Sequence, residues 1–229
     1  MTVKYIYHHL GLGDYIMCNG MVRHFCKNYD EVILFCLAHN FKNVEYMYRD
    51  VDNLKIFIFD TEDQICDFIE DEKIKDNLLK VGFNNLKYYD ENNINFDVGF
   101  YELAGLDYDL RFSEFYVERD LEEEDRVYKE LNPNNEKYIF VHDDPNRGYS
   151  IDMSKIDSEY KIIRNDTRFL IFNYIKVLEN AEEIHCMQSS IKDLINSYKL
   201  NAKMYFHNYV RGLVSTAHTK GLNEWTTYE

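Results

Sequence analysis

Three short segments of this 229-residue chain carry the residue types best suited to chemistry. The first is His8-His9-Leu10-Gly11-Leu12-Gly13-Asp14. A β-rich run at 3–10 ends there, two glycines make a turn, and apolar residues at helical spacing follow from 14 to 28. Glycine lets a ligand approach the backbone, and a helix start offers unpaired N–H groups. Asp14 then stands on the rim where open α/β sheets bind ligands. A plainer role fits the same residues, with Asp14 as helix N-cap and Gly11 and Gly13 as turn formers. The pattern lacks a third glycine, and Ala38-His39 stands where a dinucleotide site would carry an acidic residue.

The second segment runs from 137 to 148, where the strand-like KYIFVH delivers His142, Asp143 and Asp144 to a turn containing Pro145, Arg147 and Gly148. His142 is suited to binding a phosphate or polarising a hydroxyl. Arg147 is suited to pairing with a diphosphate in two-pronged fashion. Arg164 ends the next strand and is a second phosphate cation. An Asx-Pro turn with a surface ion pair is the plainer alternative. The adjacent Asp143 and Asp144 depart from the spacing of an Asp-x-Asp metal site. No metal site is therefore assigned, although a divalent cation remains open.

The third segment is Gln188-Ser189-Ser190, between a buried strand at 183–187 and a helix. Ser189 is a natural N-cap, and the hydroxyls and free N–H groups around it suit a phosphate. His185, inside the strand, reads as a packed core residue. None of the eight histidines has zinc-ligand spacing, and neither a nucleophile elbow nor a P-loop is present.

The elements that must position these segments alternate. Strands are expected at 31–38, 54–60, 78–83 and 96–101, with helices between. The nearly continuous apolar run at 31–38 suits a strand buried on both faces of a parallel sheet. An acidic helix at 121–131 bridges to a second half, with strands at 137–142, 161–164, 183–187 and 203–207 and helices at 168–179 and 189–198. The expected division is 1–115 and 116–229, two Rossmann-like halves of α/β class facing a cleft. The stretch 212–229 reads as a loose polar tail apart from Trp225.

The chain carries 26 basic and 41 acidic residues, a net charge of −15. Such a field repels nucleic acid and anionic membrane, so any anionic ligand needs a local positive site. Five cysteines with no Cys-x-x-Cys pair read as reduced thiols. No signal peptide or membrane span is apparent, and the expected compartment is the cytoplasm.

The run from His8 to Asp14, continuing into Ile16, Cys18, Asn19, Gly20 and Arg23, resembles the start of GT-B glycosyltransferases related to the heptosyltransferases. It also resembles small glycosyltransferases of viruses and polysaccharide gene clusters. The resemblance implies an acceptor-side first half and a nucleotide-sugar-binding second half. It implies Asp14 as the base that deprotonates an acceptor hydroxyl, with Gly11 and Gly13 as the cleft turn. The donor-binding set would be His142, Arg147, Arg164, Gln188, Ser189 and Ser190. The implied reaction is inverting hexosyl or deoxyhexosyl transfer from a nucleotide-diphosphate sugar to a hydroxyl of a glycan acceptor, with no resident cofactor. Two other readings stay open: a single Rossmann-like enzyme using a dinucleotide or S-adenosylmethionine, and a non-catalytic module that binds nucleotide-sugar or glycan.

Overall fold

The computed structural model describes residues 1–82, 85–156, 159–212 and 220–229. Two compact units divide the chain, one built on Met1–Glu118 and the other beginning at Arg119 and including Lys220–Glu229.

The first unit has a four-stranded parallel sheet in the order β3-β2-β1-β4, from β1 (Val3–Tyr7), β2 (Glu31–Leu37), β3 (Leu54–Phe59) and β4 (Leu78–Lys80). β2 is the centre of the core, with Val32, Leu34, Phe35 and Cys36 fully shielded, as a strand covered on both faces requires. Between the strands lie α1 (Leu12–Met17), α2 (Asn19–Asn28), α3 (Phe41–Tyr48) and α4 (Glu62–Asp71). The start of α4 is fixed by a reciprocal cap: Thr61 accepts from the Gln64 backbone while the Gln64 side chain reaches back.

Three helices complete the unit: α5 (Leu86–Asn92), α6 (Phe96–Leu103) and α7 (Leu110–Ser113). Helix α6 corrects the strand expected at 96–101. Phe96 and Phe100 are one helical turn apart and their rings meet at 5.3 Å. A Cβ at Gly99 would overlap the Tyr89 ring, so the glycine lets α6 press against α5. Phe83, the last residue of the strand expected at 78–83, lies outside the described residues.

The second unit has a five-stranded parallel sheet in the order β6-β5-β7-β8-β9. Its strands are β5 (Tyr138–His142), β6 (Lys161–Arg164), β7 (Glu183–Cys186), β8 (Lys203–His207) and β9 (Thr226–Tyr228). Helices α8 (Leu121–Leu131), α9 (Ile175–Glu179) and α10 (Ser190–Asn196) cover it. α8, expected as a bridge, packs within this unit. Its fully buried Glu124 takes Arg119 and the backbone N–H of Lys176, and Arg119 also holds Glu179 at the end of α9. The helix expected at 168–179 is a 3-10 turn at Ile171–Tyr174 running into the short α9.

The tail is corrected as well. Trp225 donates its indole N–H to Asn196 at 2.8 Å, and Thr226–Tyr228 pairs with β8 as the outer strand. Residues 213–219 of that stretch lie outside the described residues. Two separate sheets replace the single continuous sheet of a one-domain dinucleotide or S-adenosylmethionine fold. No helix of the described residues is long and apolar enough to cross a membrane.

Candidate functional site

In the first sheet the chain steps outward from β1 through β2 to β3, then crosses back to β4 on the other side of β1. The connections leaving β1 and β4 therefore diverge, and a crevice opens at their carboxyl ends. His8 follows β1 into it. His8 Nδ1 lies 2.6 Å from the His9 carbonyl oxygen, so Nδ1 carries the proton and donates. Burial pushes the imidazole down to about 4, which keeps it neutral. Its Nε2 then presents a lone pair, buried and without a partner. A cavity of about 110 Å³ opens there, walled by His9, Lys80, Gly82 and Tyr7, whose hydroxyl donates to Glu62.

Asp14 is not the helix cap. Gly11 is the N-cap residue of α1, and Asp14 lies in the first turn with its N–H on the Gly11 carbonyl at 3.0 Å. Gly13, expected in the turn, is the second residue of α1. Gly11 has φ −72°, so its value is not conformational freedom. A Cβ at Gly11 would stand 2.5 Å from Asp14 Oδ2, so the missing side chain is the space this carboxylate occupies. Asp14 is 7% exposed and lies in the first turn of α1.

In the second sheet the chain runs from β5 outward to β6 and crosses back over β5 to β7, so the diverging connections leave β5 and β7. A cavity of about 580 Å³ lies at these carboxyl ends. The turns after β5 and β6 and the start of α10 line it, and it brings together His142, Arg164 and Ser190. Arg147, Gln188 and Ser189 do not line it.

His142 repeats the arrangement at His8. Its Nδ1 lies 2.7 Å from Asn165 Oδ1, so Nδ1 donates. Burial holds the ring below the ordinary histidine value against the pull of Asp143 and Asp144. Nε2 is therefore a lone pair, buried and unpartnered. A neutral acceptor suits a hydroxyl or N–H of a ligand better than a phosphate oxygen. Asn165 was not anticipated; the sequence signal was an Asn directly after a strand that ends beside β5.

Arg164 pairs with Asp143, whose other oxygen takes the Ile151 N–H at 3.0 Å. Its charge is thus already met. Arg147 is largely exposed and pairs with Asp144 at 2.9 Å, inside a turn closed by Gly148 at φ +82°. Ser189 caps α10, accepting from the Lys192 N–H at 3.3 Å. Gln188 is buried and its Oε1 has no partner among the described residues. His185 stacks on Tyr205 and hydrogen-bonds His207 at 2.9 Å, a core position as its sequence context indicated. Arg23 is spent structurally, two-pronged on Asp50 beside a cavity of about 490 Å³ among the segments that lead into β2 and β3.

No protein-family model and no curated protein sequence matches the chain. Among solved structures, a glycosyl transferase family 9 protein from Veillonella parvula DSM 2008 is similar over 99% of this chain and 85% of its own, at 10% identity and a TM-score of 0.56. The E. coli ADP-heptose LPS heptosyltransferase II is similar over 90% of this chain and 84% of its own, at 9% identity and a TM-score of 0.50. Likeness at such identities is likeness of fold, and the chain shares with these GT-B-type proteins a mixed α/β architecture of two parallel sheets flanked by helices.

Proposed function

We propose that the protein is a glycosyltransferase that moves a hexosyl or deoxyhexosyl group from a nucleoside-diphosphate sugar to a hydroxyl of a glycan acceptor, with inversion. The observation that carries this reading is the cavity at the carboxyl ends of β5 and β7, large enough for a nucleoside or sugar and lined by hydrogen-bond acceptors. The likeness in fold to a heptosyltransferase and a glycosyl transferase family 9 protein supports it.

In this reading the second unit holds the donor, with His142, Arg164 and Ser190 around its uncharged part and Arg147, Gln188 and Ser189 beside the diphosphate. The first unit serves the acceptor. Asp14 takes the proton of the acceptor hydroxyl as its oxygen bonds to the anomeric carbon, and the bond from that carbon to the diphosphate breaks. The negative charge leaves on the nucleoside diphosphate, where positive groups and N–H donors stabilise it. Gly11 keeps the carboxylate in place by leaving it room.

The test is calorimetric titration with ADP, GDP, UDP, CDP and dTDP, followed by an assay for release of the matching diphosphate from its sugar conjugates. Saturable binding of one of the five and slow turnover of its sugar conjugate are expected. Absence of binding by all five would sink the reading.

A further inference from the structure

The sequence has nine arginines. Eight of them, Arg211 excepted, have a carboxylate partner within 4.0 Å. Among the described residues Arg211 has no carboxylate partner. In a chain of net charge −15 an arginine left without an acid stands out, because acids are plentiful and the overall field draws them in. Arg211 follows β8 and is half-buried. One guanidinium nitrogen donates to the Gln188 carbonyl at 3.1 Å, and the group lies over the Tyr149 ring at 5.4 Å. Those contacts orient the group and leave its other N–H groups without a partner among the described residues. Gln188, whose carbonyl it holds, follows β7 and stands two residues before Ser190, which lines the cavity.

The groups around it are of the opposite kind. Gln188, to whose carbonyl Arg211 is bonded, is 8% exposed and its Oε1 is without a partner. The cavity itself holds the His142 lone pair, and its carboxylates Asp143, Asp144 and Asp166 are paired with Arg164, Arg147 and Arg168, so each of these arginines is already matched by an acid. A phosphate placed inside would meet acceptors and acids. A group bearing hydroxyls or N–H donors would meet partners.

We propose that Arg211 is the charge that anchors the donor's diphosphate at the rim, and that the cavity takes the uncharged, hydroxyl-bearing part of the same molecule. This rests on the nucleotide-sugar reading above and adds Arg211 to the groups beside the diphosphate. The guanidinium offers paired N–H donors to phosphate oxygens, and a ligand that is anionic at one end and donor-rich at the other satisfies both regions.

The experiment titrates wild type, Arg211→Ala, Arg211→Lys and Arg164→Gln with the preferred nucleoside diphosphate, with inorganic pyrophosphate and, by ligand-observed NMR, with the parent nucleoside. Arg211→Ala is expected to weaken diphosphate and pyrophosphate binding tenfold or more and to flatten the salt dependence, leaving nucleoside binding unchanged. Arg211→Lys should recover part of the loss. Arg164→Gln, which frees Asp143, should weaken nucleoside and nucleoside diphosphate alike. Wild-type diphosphate affinity in Arg211→Ala would overturn the assignment and leave the transferase reading standing. Equal loss of nucleoside and diphosphate in Arg211→Ala would overturn it too, by making Arg211 a structural prop. Failure of wild type to bind any nucleoside diphosphate or pyrophosphate would overturn both.

Discussion

The carboxyl edges of the two sheets are built on the same plan and equipped differently. In each, the first strand delivers a histidine to the point where the connections diverge, His8 after β1 and His142 at the end of β5. Each ring donates from Nδ1 to an oxygen, is kept neutral by burial, and leaves Nε2 as a buried lone pair. Around His8 there is about 110 Å³ of space, and the nearby glycine turn carries a single carboxylate, Asp14. Around His142 there is about 580 Å³, several acids and the paired Arg164, while Arg211, on the Gln188 carbonyl, has no carboxylate partner among the described residues. The fold supplies a place to bind; the residues set on the first turn decide whether that place holds a ligand or acts on one.

The sharpest way to break this contrast is Asp14→Asn. If the first edge is the reactive one, sugar transfer falls by about 10²–10⁴-fold while nucleoside-diphosphate affinity stays at the wild-type value. A variant with full transfer would make the two edges equivalent. Gly11→Ala asks whether position matters as well as charge. The added methyl occupies the space of Asp14 Oδ2, and displacing that oxygen should lower transfer about 10²-fold in a folded protein.

The buried histidines can be separated by pH. His8 is lowered from 6.5 to about 4, so the native state favours the neutral ring. That contribution is present above pH 6.5 and is lost as pH falls from 6.5 toward 4, because the unfolded chain takes up the proton first. By pH 5 the loss from His8 alone is about 2 kcal/mol. Urea unfolding at pH 7 and pH 5 measures it, and His8→Leu should show a smaller difference than wild type. An unchanged difference would show that the His8 ring is not held below its ordinary value in the native state. The smallest effect expected is that of Ser189→Ala, which removes the cap of α10 and costs about 1 kcal/mol of stability. Loss of diphosphate binding beyond tenfold in that variant would give Ser189 a share in the ligand that capping does not require.

Much of this arrangement is legible in the sequence. The end of β1 before Gly11, the helical spacing that follows and the doubly buried β2 are local signals of spacing and residue type, and the fold follows them. The helix α6 was misread because Phe96, Val98 and Phe100 alternate like a strand. Its period is settled by Gly99 meeting Tyr89, a contact the pattern does not contain. β9 was missed because three residues carry no period, and what holds it is an indole bond to Asn196 and Tyr228 stacked on Tyr205. At the candidate site, residue identity showed which groups are charged but not which charges are spent. Arg164, expected as a phosphate cation, is paired with Asp143, whereas Arg211 has no carboxylate partner among the described residues.

That last strand has a practical consequence. β8 carries Met204 and Phe206 buried and has β7 on one side and only three residues of β9 on the other. A chain cut before Thr226 would leave the β8 backbone unpaired along its outer side, a template for another chain to extend. Shortened versions of this protein are therefore expected to precipitate or to form higher oligomers on concentration, and a purification handle is better joined to the amino terminus.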